Sequence, residues 1–111
     1  MTPEETVRLA HEGIERADQE IRRAEEAKAV LEMPIIRQAL DSMEHEVYEA
    51  WLACPSRDAE GREWMWRQAQ AIRKFRETLR GTMELGKPAA ERKMAFIERI
   101  KSAAKKAANW G

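Results

Sequence analysis

The side chains in this chain that could take part in chemistry are few: His11, His45, the lone Cys54 and the acids around them. A zinc-hydrolase helix needs a second histidine four residues after the first, with a glutamate between them to act on water. The run His11-Glu12-Gly13-Ile14-Glu15 has glutamate where that second histidine belongs, so the metal motif fails. A di-iron helix needs a glutamate three residues before its histidine. Ser42 occupies that place before His45, and Glu44 and Glu46 flank the histidine on other helix faces. Gly61, Gly81 and Gly86 are isolated, so there is no glycine-rich loop to cradle phosphate. Cys54 stands near Arg57 and a helix start, a setting that lowers a thiol pKa; the plainer reading is a small filler in a turn. The pattern predicts a chain that is not an enzyme, with no catalytic residue, metal site or cofactor.

Recognition chemistry is better represented. Trp51, Trp64 and Trp66 stand on either side of the polar turn Cys54-Pro55-Ser56-Arg57-Asp58, and Arg57, Arg62 and Arg67 are interleaved with them. Tryptophan and arginine dominate the energetics of protein interfaces. Trp64 and Trp66 are two positions apart, about 200° around a helix, so they cannot share one face. With a seam through Met65, Ile72 and Leu79, Trp51 and Trp64 close the end of the hairpin and Trp66 points outward as a docking residue. A seam one residue on, through Ala69, Phe75 or Arg76, and Met83, would exchange Trp64 and Trp66. All six residues are candidate partner-binding positions.

Those side chains must be carried by helices. Charged residues make up 36% of the 111, while glycine (5) and proline (4) are rare, a composition of long helices within one domain. Thr2-Pro3-Glu4-Glu5 reads as a helix start, with Thr2 as cap, Pro3 in the first turn and Glu5 placed for a capping box. A seam of alternating three and four spacing follows: Val7, Ala10, Ile14, Ala17, Ile21, Ala24, Lys28, Leu31. Its alanines bury little area, so this acidic, coiled-coil-like helix of residues 1–33 wants a partner. Self-association through Val7, Ile14, Ile21 and Leu31 is one way to supply it. Gly13, inside the helix, should cost about 1 kcal/mol against alanine.

Pro34 breaks the pattern and the apolar phase changes, which predicts a second helix from Pro34 to about Ala53. After the turn, Ser56 or Asp58 can cap a third helix, with Met65, Ile72 and Leu79 at one heptad position and Gln68, Phe75 and Thr82 at the other. That helix should close near Leu85-Gly86, with Gly86 as a left-handed cap. Residues 34–86 thus read as an antiparallel helical hairpin. A basic fourth helix follows from Pro88 to about Ala108, with Lys101, Lys105 and Lys106 in its last turns. The expected fold is all-α, a central hairpin flanked by the two terminal helices.

Net charge is zero but unevenly spread. Residues 1–33 carry five basic and nine acidic side chains, and residues 87–111 carry seven and two. The basic tail can lie against the acidic head or serve an acidic partner. Arg73, Lys74, Arg76 and Arg80 could meet a phosphate backbone. The glutamates on the same hairpin favour a solvated face held by pairs such as Glu63–Arg67, so nucleic acid is not the favoured partner. One cysteine allows no internal disulfide, which suits a reducing compartment. The N-terminal run has no secretory pattern and no apolar run approaches membrane-spanning length. The expected setting is the host-cell cytoplasm or the virion, with no membrane association.

Residues 39–90 combine an acidic helix ending in Trp51, the run Arg57-Asp58-Ala59-Glu60-Gly61-Arg62-Glu63 before Trp64, and a basic amphipathic helix closed by Gly86-Lys87. This half of the chain resembles small helical proteins of tailed bacteriophages and prophages, encoded beside head-assembly genes and mostly without assigned function. The resemblance implies a phage protein and carries over no catalytic residue. The resulting expectation is a homo-oligomeric docking protein, acting on another phage or host protein in virion assembly or as a packaging accessory. The alternatives are an inhibitor of a host defence or regulatory protein and a nucleic-acid-binding accessory.

Overall fold

The computed structural model describes residues 1–110, and the described residues form four α-helices and no strand. They are α1 (Pro3–Glu32), α2 (Pro34–Ala53), α3 (Ala59–Glu84) and α4 (Gly86–Trp110). The protein is all-α, as its composition and periodicity predict.

Local chemistry sets the helix ends. The Glu5 amide donates to Thr2 Oγ1 at 3.2 Å, so Thr2 caps α1. Met33 is extended, at φ −64° and ψ 121°, as the residue before a proline must be, and Pro34 opens α2 where its missing amide proton costs nothing. Asp58 caps α3: its Oδ1 accepts from the Gly61 amide at 2.9 Å.

The junction of α3 and α4 differs from the sequence expectation. Only Leu85 separates the two helices, and no described glycine has positive φ. Gly86 is therefore not a left-handed cap but the first residue of α4. Pro88 sits inside the first turn of that helix, where amides lack intrahelical partners anyway. Helix α4 also runs on to Trp110, so Lys101, Lys105 and Lys106 fall short of its last turn.

The chain divides into two compact units. The first comprises residues 1–26 and 82–111 and is built on α1 and α4. The contacts run in opposite order along the two helices. Ala24 faces Gly86, Glu20 and Asp18 meet Arg92 and Lys93, and Gly13 lies under Phe96. Ala10, Ala17 and Ala24 of α1 and Ala89 and Ala103 of α4 are the buried residues here. Val7, Ile14 and Ile21 are half-buried in the same unit. A core of alanines works only if the backbones come close, and two glycines allow it. A Cβ on Gly86 would stand 2.7 Å from the Ala24 Cβ, and one on Gly13 would stand 2.4 Å from the tip of the Phe96 ring. Gly13 is thus not merely a helix-weakening residue; it is the notch that receives Phe96.

The second unit, residues 27–81, is built on α2 and α3. Ala27, Leu40, Met65 and Ile72 are its only buried residues. Arg76 of α3 reaches Asp41 at 2.9 Å and Glu44 at 3.1 Å on α2. Nearer the turn, Trp51 shares a cleft with Arg62 and Trp66. The α1 stripe rotates as it enters this unit: Ala27 is buried and Lys28 is exposed.

Candidate docking surface

The buried Met65 and Ile72 fix how α3 lies on α2, and everything around them follows from that. Residues at Arg62, Trp66, Ala69 and Arg73 project to one side of this line, and Gln68, Ala71 and Phe75 to the other. On the first side, α2 contributes Glu44, Val47, Tyr48 and Trp51. Together these side chains bound an open cleft of about 560 Å³ with Met65 as its floor.

Neither Trp51 nor Trp64 closes the end of the hairpin. Trp51 is 53% exposed, Trp64 59% and Trp66 62%. The expected contrast of a buried Trp64 with an exposed Trp66 is replaced by two exposed residues on opposite sides of Met65. The 200° between them puts both beyond the buried line. Trp66 is on the side where α2 presents Trp51 and Tyr48. Trp64 lies seven residues before Ala71 and so shares the other side.

Of the six candidate positions, the structure brings Trp51, Trp66 and Arg62 together in the cleft and leaves Trp64, Arg57 and Arg67 outside it. Arg62 is held in place by donating from Nη1 to the Ser56 carbonyl in the turn. Arg67 forms an exposed ion pair with Glu63 at 2.8 Å. Tyr48, Glu44 and Arg73 belong to the cleft but were not among the candidates. Their spacing carries the signal: Tyr48 is one helical turn before Trp51, and Arg73 two turns after Trp66.

Much of the basic character of α3 is spent within the chain. Arg73 pairs with Glu77 at 3.3 Å and Arg76 with Asp41 and Glu44. In the other unit, Arg92 pairs with Glu20 and Lys93 with Asp18, so part of the basic tail lies on the acidic helix.

Cys54 is half-buried in the turn, with its Sγ 3.8 Å from Asp58 Oδ2. Loss of hydration pushes the thiol above its ordinary pKa, the Asp58 carboxylate adds to this, and Arg62 opposes it. The thiol is raised, not lowered as the less favoured reading of a thiol beside Arg57 and a helix N-terminus would have it. Loss of hydration is the larger cause, and the capping Asp58 carboxylate adds to it. His45 lies on the surface of α2, 3.7 Å from Glu49. Among the described residues no group of three His, Cys, Asp or Glu side chains is placed to hold a metal ion, and no helix is long and apolar enough to cross a membrane.

Compared with known proteins, the chain matches no family model, no curated protein and no solved structure.

Proposed function

We propose that this chain is a non-enzymatic docking protein that grips a partner protein through the cleft between Tyr48, Trp51 and Trp66. The observation that carries the reading is three large aromatic side chains, each more than half exposed, set around an apolar floor with Arg62 and Arg73 at the rim. Aromatic anchors ringed by polar groups are the usual anatomy of an interface centre. Together these aromatics leave roughly 350 Å² open, taking about 200 Å² per ring-bearing side chain. That lies within the roughly 300–600 Å² of the largest apolar patch on a typical monomer, which is often a functional one.

The setting follows from the resemblance of residues 39–90 to tailed-phage proteins: a role in virion assembly or packaging, in the host cytoplasm or on the particle. Inhibition of a host regulatory or defence protein is the second reading, because the same cleft would serve it. A nucleic-acid role is supported less, since Arg73 and Arg76 of α3 and Arg92 and Lys93 of α4 already have carboxylate partners.

A photo-crosslinking residue placed at Tyr48 tests the proposal in cells infected by the encoding phage. Crosslinks to a head-assembly or packaging protein, lost in Trp51→Ala and Trp66→Ala, are the expected outcome. Crosslinks to one host protein favour the inhibitor reading. Crosslinks to nucleic acid, with retention on DNA that falls steeply with salt, would overturn both.

A further inference from the structure

The opposite side of the α2–α3 pair is a second apolar surface with a different character. Ile36, Ala39, Leu40 and Met43 of α2 face Ala71, Ile72 and Phe75 of α3 around a groove of about 360 Å³. Met43 is 48% exposed and Phe75 47%, and Trp64 extends the same side toward the turn. No charged residue lines this groove; Gln68 is its one polar member.

We infer that this face binds a second copy of the same chain, pairing the two hairpins face to face into a four-helix bundle. The inference goes beyond the reading of the chain as a docking protein and uses a surface separate from the docking cleft. Two observations select a second copy.

The first is area. A helix of 20 residues is about 30 Å long, and two helices side by side present a face of about 600 Å². That approaches the roughly 800 Å² that each partner contributes to a stable interface. An occupant shaped like the hairpin itself covers it fully.

The second is charge. With Asp41 and Glu44 taken by Arg76, Glu63 by Arg67 and Glu77 by Arg73, α2 is left with Arg37 against Glu46 and Glu49, and α3 with Arg62, Lys74 and Arg80 against Glu60 and Glu84. An acidic helix beside a basic helix is self-complementary when each α2 lies over the partner's α3. The rim repeats the pattern. By helical periodicity Glu46 borders the groove on α2, while Lys74 borders it on α3. Laying α2 over α2 would set like charges together.

This choice fixes the geometry. A two-fold axis parallel to the helices puts each α2 on the partner's α3, keeps all neighbours antiparallel and brings both turns to the same end. The alternative, with α2 over α2, sends the turns to opposite ends, apart by at least one helix length of about 30 Å.

Cys54 in the turn is the only cysteine of the chain and reports the geometry directly. Sedimentation of the full chain from low to high micromolar concentration should show a monomer–dimer equilibrium. Met43→Glu and Phe75→Glu should each weaken it at least ten-fold with helicity unchanged, because both side chains are half exposed in the single chain. Trp66→Ala should leave it intact. Spin labels on Cys54 of the unmodified sequence should lie within about 25 Å of each other, less than the length of one 20-residue helix. A monomer at high micromolar concentration, or a dimer indifferent to Met43→Glu and Phe75→Glu, overturns the inference. So does a dimer whose labels are a helix length or more apart. Loss of the dimer in Trp66→Ala would instead mean that the copies meet through the aromatic cleft. Neither a monomer nor misplaced labels would bear on whether the cleft binds its separate partner.

Discussion

Both units of this chain lay helix on helix with opposite chain direction, yet they solve burial in opposite ways. The α1–α4 unit uses alanine and glycine. Its buried side chains are Ala10, Ala17, Ala24, Ala89 and Ala103, and Phe96 fills the gap left by Gly13. The α2–α3 unit owns larger apolar residues and covers few of them: Leu40, Met65 and Ile72 are buried, while Met43, Tyr48, Trp51, Trp64, Trp66 and Phe75 are exposed. Small side chains let two helices approach until little apolar surface remains. Large ones along a two-helix pair necessarily leave both flanks open, because a pair has only one seam. The difference teaches where association should occur. Apolar area left over beside a satisfied seam is available to another chain; here the aromatic share of it lies on α2 and α3, while the other unit exposes Leu9, Leu85 and Met94 singly.

The comparison breaks most severely at its tightest contacts. Ile72→Ala removes the largest buried aliphatic group of α3 and should cost about 2–5 kcal/mol in thermal or denaturant unfolding. Gly13→Ala should be destabilising by about 1–3 kcal/mol, although alanine is the better helix former, because the new Cβ collides with the Phe96 ring. In a double-mutant cycle, Phe96→Ala should remove most of that penalty. A stabilised Gly13→Ala would mean that the ring does not occupy the notch.

Smaller effects separate the two kinds of exposed residue. Asp58→Ala should cost about 1 kcal/mol through loss of the α3 cap, and Asp58→Asn much less, since asparagine caps nearly as well. Trp66→Ala and Trp51→Ala should shift unfolding by well under the 3–5 kcal/mol of a buried tryptophan, while each weakens partner binding by about 2 kcal/mol or more. The smallest change is chemical. Because desolvation and the Asp58 carboxylate raise the Cys54 thiol, its thiolate fraction at neutral pH lies below that of an ordinary cysteine. Alkylation should be slow there and accelerate only as pH rises through the raised pKa. Asp58→Asn should shift that rise to lower pH.

The helix boundaries were legible in the sequence because their causes are local. Thr2, Pro34 and Asp58 act within one turn of themselves, and the structure places the helix starts where they direct. Gly13 and Gly86 were misread for the converse reason. Each looks like a breaker or a cap in its own neighbourhood, but its role is a contact with Phe96 or Ala24, far away along the chain. The tryptophans fall between. Helical geometry alone guarantees that Trp64 and Trp66 face apart. Whether either is covered depends on the width of α2, which one helix's periodicity does not contain. The α1 seam was also visible, as was its need for a partner. Its partner within the chain is α4, whose Ala89 and Ala103 repeat the small-residue pattern at the facing positions.

The central claim is that association surface lies on α2 and α3 and not on the α1–α4 pair. Hydrogen exchange followed by mass spectrometry over a concentration series locates it directly. As the protein is concentrated, peptides from α2 and α3 should gain protection, with the increase centred on residues 36–43 and 68–75. Peptides from residues 3–24 and 89–103 should exchange at a constant rate. Protection that grows instead along residues 7–24 would show that the alanine seam opens to another copy, and would contradict the account.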